Sequence, residues 1–173
     1  MSILFSTEGM EAYLADSNDL EKIIEIETHP ENYDYTWHNT KEEYLELIEN
    51  KSLYLTTFRK KGQSKIMGYS IMVYDSKADS LELRRMAVME KNNGYGQEII
   101  QGIKKFAFTD LNAHRLWLDV FTFNYRAIYI YEKLNFKREG TLRDIYKDHR
   151  GYHSQHIYSM LSSEYSSEKT SQP

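Results

Sequence analysis

Two glycines one residue apart stand where a chain would build a cradle for an anion. Gly94 and Gly96 belong to the run from Asn92 to Gln97, between a strand-like segment, Leu81–Val88, and a helix-like segment that starts near Gln97. Because glycine has no Cβ, its backbone reaches positive φ and can turn several N–H groups toward one anion, which the helix dipole also favours. The junction predicts a site for a phosphate-bearing cofactor, although a plain turn has the same composition.

A second spaced motif lies about thirty residues further along the chain. Asn124, Ala127 and Tyr131 have Asn-x-x-Ala-x-x-x-Tyr spacing, and the run from Glu132 to Phe136 follows at once. Together the two motifs resemble those of the GNAT family of N-acetyltransferases, usually written Gln/Arg-x-x-Gly-x-Gly/Ala and NxxAxxLYxKxGF. The resemblance extends from about Met10 to Leu161.

The chain departs from each motif at one notable position. Lys91 stands where the family has Gln or Arg, so a cation remains but the planar guanidinium is lost. Asn135 replaces the glycine of the second motif, and Asn also tolerates the left-handed conformation that ends many helices. Both motifs therefore keep their physical basis.

The resemblance implies that acetyl-CoA is the cosubstrate and that no metal is required. The loop amides would hold the pyrophosphate, and a strand end would pair with the pantetheine amides as an added strand does. The thioester carbonyl would then lie near the Val88 N–H. Asn124 is also a natural helix N-cap, and Lys133 could equally be a solvated helix lysine. The residues expected to contact the cofactor are Met86, Ala87, Val88, Asn92, Asn93, Gly94, Tyr95, Gly96, Gln97, Asn124 and Lys133.

Two side chains are candidates for proton transfer. Tyr131 would protonate the departing CoA sulfur, because a phenol keeps its proton at neutral pH, and a packed tyrosine is the alternative. Glu82 would take a proton from the amine. Two-residue periodicity puts Glu82 on the same face as Arg84, Met86 and Val88, although a salt bridge to a neighbouring arginine would also explain it.

The remaining elements give an α/β single domain of the GNAT fold. We expect a mixed, twisted sheet of about six to seven strands, splayed in the middle beyond Val88, with about four helices. Arg115–Phe121 follows a helix and should run parallel to Leu81–Val88, with Leu116, Leu118 and Val120 alternating against Trp117, Asp119 and Phe121. The other predicted strands are Met10–Ala15, Leu53–Phe58, Ile66–Tyr74, Phe136–Gly140 and Gln155–Leu161. The predicted helices are one capped by Ser17 and ended by His29 and Pro30, Lys41–Glu49, one from near Gln97, and Asn124–Leu134.

The domain should occupy residues 1–163, followed by a flexible C-terminal tail at residues 164–173. The stretch from Ser162 to Pro173 is rich in Ser and Glu and lacks apolar anchors, which predicts a frayed end.

Composition narrows the class of protein. A chain of 173 residues suits one well-buried core, and the absence of Cys excludes disulfides and thiolate metal sites. A net charge of −4 argues against a nucleic-acid partner, because phosphate contacts need clustered cations. No apolar stretch approaches the roughly twenty residues that cross a bilayer, and no secretory signal is visible. We therefore expect a cytoplasmic protein without a membrane partner.

The resemblance implies acetyl transfer to a primary amine by direct attack in a ternary complex. The run from Phe136 to Arg143, with Gly151, Tyr152 and Met160, is similar to the branch of ribosomal-protein Nα-acetyltransferases and polyamine acetyltransferases. A polyamine, a protein N-terminus and a small amino compound all stay open as acceptors. Dimers are common in similar proteins, so a homodimer is one expectation, but the sequence does not define the oligomeric state.

Two alternative functions and one question about the acceptor site stay open at this point. A non-catalytic acyl-CoA sensor or interaction module would keep the glycine loop without the proton donor. A nucleotide site is weaker, because the loop lacks the P-loop Lys followed by Ser or Thr and also lacks GxGxxG. Glu27, Glu31 and Asp34 cluster near the expected acceptor mouth and could hold a polyamine, or they could be a solvated connector.

Overall fold

Eight strands form one sheet in the computed structural model, which describes residues 2–170 of the chain. The strands are β1 Ile3–Ser6, β2 Met10–Leu14, β3 Leu53–Lys60, β4 Ile66–Asp75, β5 Ser80–Val88, β6 Arg115–Phe121, β7 Lys137–Asp148 and β8 Gly151–Leu161. The helices are α1 Leu20–Thr28, α2 Pro30–Tyr33, α3 Lys41–Glu49, α4 Tyr95–Lys105 with a π-helical continuation Phe106–Asp110, α5 Tyr125–Lys133 and α6 Ser162–Thr170.

The strand order β1-β2-β3-β4-β5-β6-β8-β7 confirms the predicted α/β sheet. Strands β1 to β5 form an antiparallel meander, β5 and β6 run parallel, and β8 pairs antiparallel with both β6 and β7. The counts in the described part of the chain exceed the predicted ones. The additions are β1, which has only four residues, and the short or polar helices α2 and α6, which carry little apolar periodicity.

The sheet opens between β5 and β6. Their parallel pairing covers Ser80–Leu83 against Arg115–Leu118, so the strands separate after Leu83. The splay was predicted beyond Val88 and begins five residues earlier. The second half of β5 stays paired with β4 on its other side, through Val88 opposite Gly68. The open edge of β5 and the end of β6 therefore face each other across a gap.

A β-bulge at Arg84 reverses the faces of β5. Leu83 lies opposite Met72 and Arg85 lies opposite Ile71, so Arg84 is the extra residue. Without a bulge, Leu83 and residue 87 would share a face. Instead Leu83 and Val88 belong to the core under α4 and α5, whereas Ala87 belongs to the core under α1 and α3.

Helix α1 starts later than its sequence suggested. Ser17 was predicted as the N-cap, but the helix begins at Leu20 with Asp19 before it. The Asp19 carboxylate forms a buried ion pair with Arg59 at 3.1 Å and makes no cap hydrogen bond. Helix α3 has the predicted bounds and begins with a capping box at Thr40.

The C-terminal part is more ordered than predicted. Strand β7 continues to Asp148 instead of ending at Gly140, and it pairs with β8 on both sides of an irregularity between Leu142 and Tyr146. A helix, α6, replaces the expected frayed end from Ser162, and the Tyr165 ring stacks on Phe108 at 5.0 Å between centroids. Residues 171–173 lie outside the described part. Within residues 2–170 no helix has the length and apolarity needed to span a bilayer.

Candidate active site

A cavity of about 700 Å³ occupies the gap where β5 and β6 separate. It also borders the loop before α4 and the first turns of α5, so the two sequence motifs meet in one place. Glu82 and Lys133 are not part of its lining. The predicted cofactor residues that line it are Met86, Ala87, Val88, Asn92, Asn93, Gly94, Tyr95, Gly96, Gln97 and Asn124.

The open edge of β5 offers backbone groups at alternate residues. The Met89 N–H, just beyond β5, donates a hydrogen bond to the Met67 carbonyl of β4 at 2.8 Å. Because antiparallel strands direct successive residues to opposite sides, the N–H and C=O of Val88 and Met86 point toward the gap. Those of Ala87 point toward β4. Ala87 therefore lines the cavity without offering the strand pairing expected of all three residues.

The loop before α4 has the backbone conformation that its glycines predicted. Asn92 and Gly94 have φ values of 63° and 78°, in the left-handed region. Gly94 is the N-cap of α4 and supplies no side-chain cap, and a Cβ placed there would meet no atom within 4 Å. The first amides of a helix have no intrahelical acceptor. These N–H groups are therefore suited to an anion at the cavity wall.

Two cations flank this end of the cavity. Lys91 and Arg126 both line it. The Lys91 ammonium donates a hydrogen bond to Asn32 Oδ1, which ties the loop to α2. Burial, and secondly the positive charge of Arg126, lower the pKa of Lys91 to about 8 against the opposing effect of Glu31. Arg126 carried no recognised motif and was missed by the sequence prediction.

Tyr131, the predicted proton donor, is a buried residue of the cavity wall. Its side chain lines the cavity and is only 8% exposed, and its ring packs edge-on against Phe136 at 5.8 Å. Burial, and secondly the negative charge of Asp119, hold the pKa of Tyr131 above its ordinary value. Tyr131 is therefore a neutral phenol at any physiological pH. At the start of the same helix, Asn124 Oδ1 accepts a hydrogen bond from the Ala127 N–H at 3.3 Å, as expected of an N-cap.

Asp119 is a buried acidic group of this cavity, and the sequence prediction missed it. It lies on β6 beside the gap, and Gln155 Nε2 donates to its Oδ1 at 3.2 Å. Burial, and secondly the charge of Glu82, raise the pKa of Asp119 to about 6 against the opposing effect of Arg84. The only sequence signal was a carboxylate between two aromatic residues on one face of a strand.

Glu82 does not occupy the position expected of a base. Its carboxylate forms two hydrogen bonds with Arg84, 3.2 Å to Nε and 2.8 Å to Nη2. The expectation that it shares a face with Met86 and Val88 was wrong, because the bulge at Arg84 shifts those residues to the other face. The alternative prediction, a salt bridge between Glu82 and a neighbouring arginine, agrees with the structure.

Glu27 is buried, so the alternative that it belongs to a solvated connector is wrong for this residue. Its Oε1 accepts hydrogen bonds from the hydroxyls of Tyr44 and Tyr69, each at 2.8 Å, and from Arg85 Nη1 at 2.6 Å. Its Oε2 accepts the Asn39 N–H at 3.0 Å. Burial raises the pKa of both tyrosines. The network fixes Arg85 in the cavity wall.

The other two acids do reach the mouth of the cavity. Glu31 and Asp34 both line it, on α2 and just beyond. Asp34 forms an ion pair with Arg150 at 3.3 Å, across to the turn between β7 and β8. The predicted cluster is therefore divided between a buried network and a partly neutralised rim.

Comparison with known proteins agrees with this arrangement. A family model described as an acetyltransferase (GNAT) domain matches residues 13–157. An N-alpha-acetyltransferase of Saccharolobus solfataricus is 30% identical over 142 residues, which is 76% of this chain and 82% of that protein. A GNAT-family acetyltransferase from Bacillus anthracis superposes with a TM-score of 0.78 at 17% identity, over 92% of this chain and 99% of that one. A mutant of spermidine N-acetyltransferase SpeG from Vibrio cholerae gives 0.81 at 18%, over 93% and 98%. The two structures establish the likeness of fold.

Proposed function

The chain belongs to the GNAT family and is an N-acetyltransferase, and from that premise we propose that it transfers acetyl from acetyl-CoA to the α-amino group of a peptide within one ternary complex. Acetyltransferases of this family use acetyl-CoA as the donor. The observation that carries the proposal is the pair Asp119 and Tyr131, a base and an acid in the wall of one cavity beside an open strand edge.

The donor would lie along the open half of β5. The pyrophosphate would accept hydrogen bonds from the amides around Gly94, helped by Lys91 and the α4 dipole. The pantetheine amides would pair with Met86 and Val88, whose backbone groups point into the gap. The thioester carbonyl would then be near the Val88 N–H, with its sulfur toward Tyr131.

The nitrogen loses two protons between its ammonium form and the amide product, and the departing sulfur gains one. Asp119 accepts a proton from the ammonium form of the acceptor, and the neutral nitrogen attacks the thioester carbon. The Val88 N–H stabilises the oxyanion of the tetrahedral intermediate. When that intermediate collapses, the C–S bond breaks, the Tyr131 hydroxyl protonates the departing sulfur, and the attacking nitrogen releases its second proton to solvent. Solvent restores the proton to Tyr131 and removes the one on Asp119.

The pKa of the base favours an α-amine over a side-chain or polyamine nitrogen. A peptide α-amine titrates near pH 8 and an alkylamine such as Lys near 10.4. With the pKa of Asp119 at about 6, proton transfer is uphill by about 3 kcal/mol from the first and about 6 kcal/mol from the second. A difference of this size would slow an alkylamine about 250-fold.

The charges at the mouth also favour an acceptor with one positive charge. A polyamine needs several free carboxylates for its further ammonium groups, but of the three acids considered above Glu27 is paired with Arg85 and Asp34 with Arg150, which leaves Glu31. The Saccharolobus solfataricus relative is named an N-alpha-acetyltransferase, which is consistent with a peptide acceptor.

The test compares acceptors in one thiol-release assay with acetyl-CoA. The acceptors are a short peptide with a free α-amine, the same peptide blocked at its α-amine but carrying one lysine, and spermidine. We expect the free α-amine to react fastest, with the acetyl group located on it by mass spectrometry. Faster reaction of spermidine would contradict the peptide assignment. Binding of CoA without turnover of any amine would favour the acyl-CoA sensor.

A further inference from the structure

Four aromatic residues line the same cavity as Asp119. They are referred to as the aromatic wall and are Tyr35, Trp37, Phe121 and Phe123. Phe121 follows Asp119 by two residues on β6, so both side chains project from the same face of the strand, about 7 Å apart along it. The wall therefore begins one side-chain position beyond the proposed base.

The wall is a connected set of rings from two separate parts of the chain. The rings of Phe121 and Phe123 are stacked, with centroids 5.1 Å apart and an interplanar angle of 8°. Tyr35 packs against Phe123 at 5.8 Å, and Trp37 meets Tyr146 edge-on at 4.1 Å. Tyr35 and Trp37 nevertheless stay 45% and 44% exposed. Aromatic surface is thus left open inside a cavity.

The charged groups beside the wall are paired with one another. Arg150 lies over the Phe123 ring, with Cζ 5.2 Å from its centroid, and pairs with Asp34 at 3.3 Å and Asp148 at 2.6 Å. A second ammonium group on the acceptor would meet this cation, and the two carboxylates beside it, of Asp34 and Asp148, are already paired with it. The wall is therefore suited to an uncharged, apolar group.

We propose that the aromatic wall binds the first side chain of the acceptor peptide and selects aromatic or long aliphatic residues there. This inference depends on the proposed function, since it requires an α-amine at Asp119. The α-carbon carries both the amine and the side chain, so an amine held at Asp119 brings the side chain to Phe121. Removing that side chain from water against the rings supplies the selectivity.

The experiment uses a set of peptides that differ only in the first residue: Phe, Leu, Ala and Gly. We expect kcat/KM for the Phe and Leu peptides to exceed that for the Ala peptide about tenfold or more. Trp37→Ala and Phe123→Ala should reduce this ratio toward unity, mainly through KM for the Phe and Leu peptides. The Ala peptide should change by less than about threefold, because its methyl group does not reach the wall.

Tyr152→Ala is the matched control, because Tyr152 is an exposed aromatic residue, 63% accessible, that does not line the cavity. It should leave the ratio unchanged. Equal kcat/KM values for Phe and Ala peptides in the unmodified enzyme would overturn the inference and leave the proposed function standing. A preference that survives both wall substitutions would also overturn it. Acetylation of none of the peptides would instead reject the α-amine function itself.

Discussion

Asp119→Asn should make the protein more stable while making it nearly inactive. Asn keeps the size of the side chain and an oxygen that can accept the hydrogen bond from Gln155, but it cannot take a proton. Substitution of a residue with a purely structural role would instead lower the stability of the protein. The opposite signs of the two effects therefore identify a group that is kept for chemistry.

The gain in stability follows from the pKa of Asp119. Its value is raised from 3.8 to about 6 by burial first, and by the charge of Glu82. The folded protein then holds the proton more tightly than the unfolded chain, so unfolding free energy falls as pH rises from about 4 to about 6. A shift of about two units corresponds to at most about 3 kcal/mol. The neutral Asn avoids this loss, so the variant should gain up to about 3 kcal/mol at pH 7.

The loss of activity has a different size and pH dependence. Removing a general base costs about 10² to 10⁴ in rate. In the unmodified enzyme kcat should fall below pH 6 as Asp119 becomes protonated in the ternary complex, and this limb should be absent from the residual activity of the variant.

Urea unfolding of both proteins at pH 4 and pH 7, together with kcat from pH 5 to 9, measures these effects. We expect equal stabilities at pH 4 and a more stable variant at pH 7. Glu82→Gln is the control, because the Glu82 carboxylate is paired with Arg84 and lies outside the cavity lining, and it should keep most of the activity. A destabilised Asp119→Asn variant, or one with near-normal turnover, would refute the reasoning.

Three further changes test other parts of the site. Tyr131→Phe should lower kcat tenfold or more and leave CoA affinity nearly unchanged, because only the hydroxyl is lost, and turnover within twofold of the original would exclude it as the acid. Gly94→Ala should cost about 1–2 kcal/mol of stability through its positive φ and also weaken CoA binding in calorimetry, whereas Gly62→Ala, at a similar φ of 73° in open space, should cost stability alone. Equal CoA affinities in the two would remove the loop from the cofactor site. Glu27→Gln should lower the unfolding free energy by about 3–5 kcal/mol, because it leaves a buried arginine without its counter-ion, while the exposed Glu25→Gln should hardly change it in the same urea titration.

The parts of the fold that were predicted correctly depend on local signals. Helix α3 has the predicted bounds because Thr40 and Glu43 form a capping box next to an apolar stripe. The parallel pairing of β5 with β6 follows from the helix between them. The glycine loop and Tyr131 could be recognised because each belongs to a motif that contains its own turn or helix start. Both line the cavity.

The parts that were missed depend on pairing between distant segments. The bulge at Arg84 is defined by the register of β5 against β4, and the local sequence carries no signal that predicts it. Strict alternation therefore put Glu82 on the face of Met86 and gave it the role of base. Asp119 is an ordinary strand residue until the sheet opens beside it, and only the position of that opening buries it and raises its pKa.

The crystal structure of the protein with bound CoA tests most directly whether the gap between β5 and β6 is the reaction site. We expect the pyrophosphate against the amides around Gly94, pantetheine hydrogen bonds to Met86 and Val88, and the sulfur within reach of the Tyr131 hydroxyl. A diphosphate bound elsewhere, or a sulfur far from both Tyr131 and Asp119, would contradict the account.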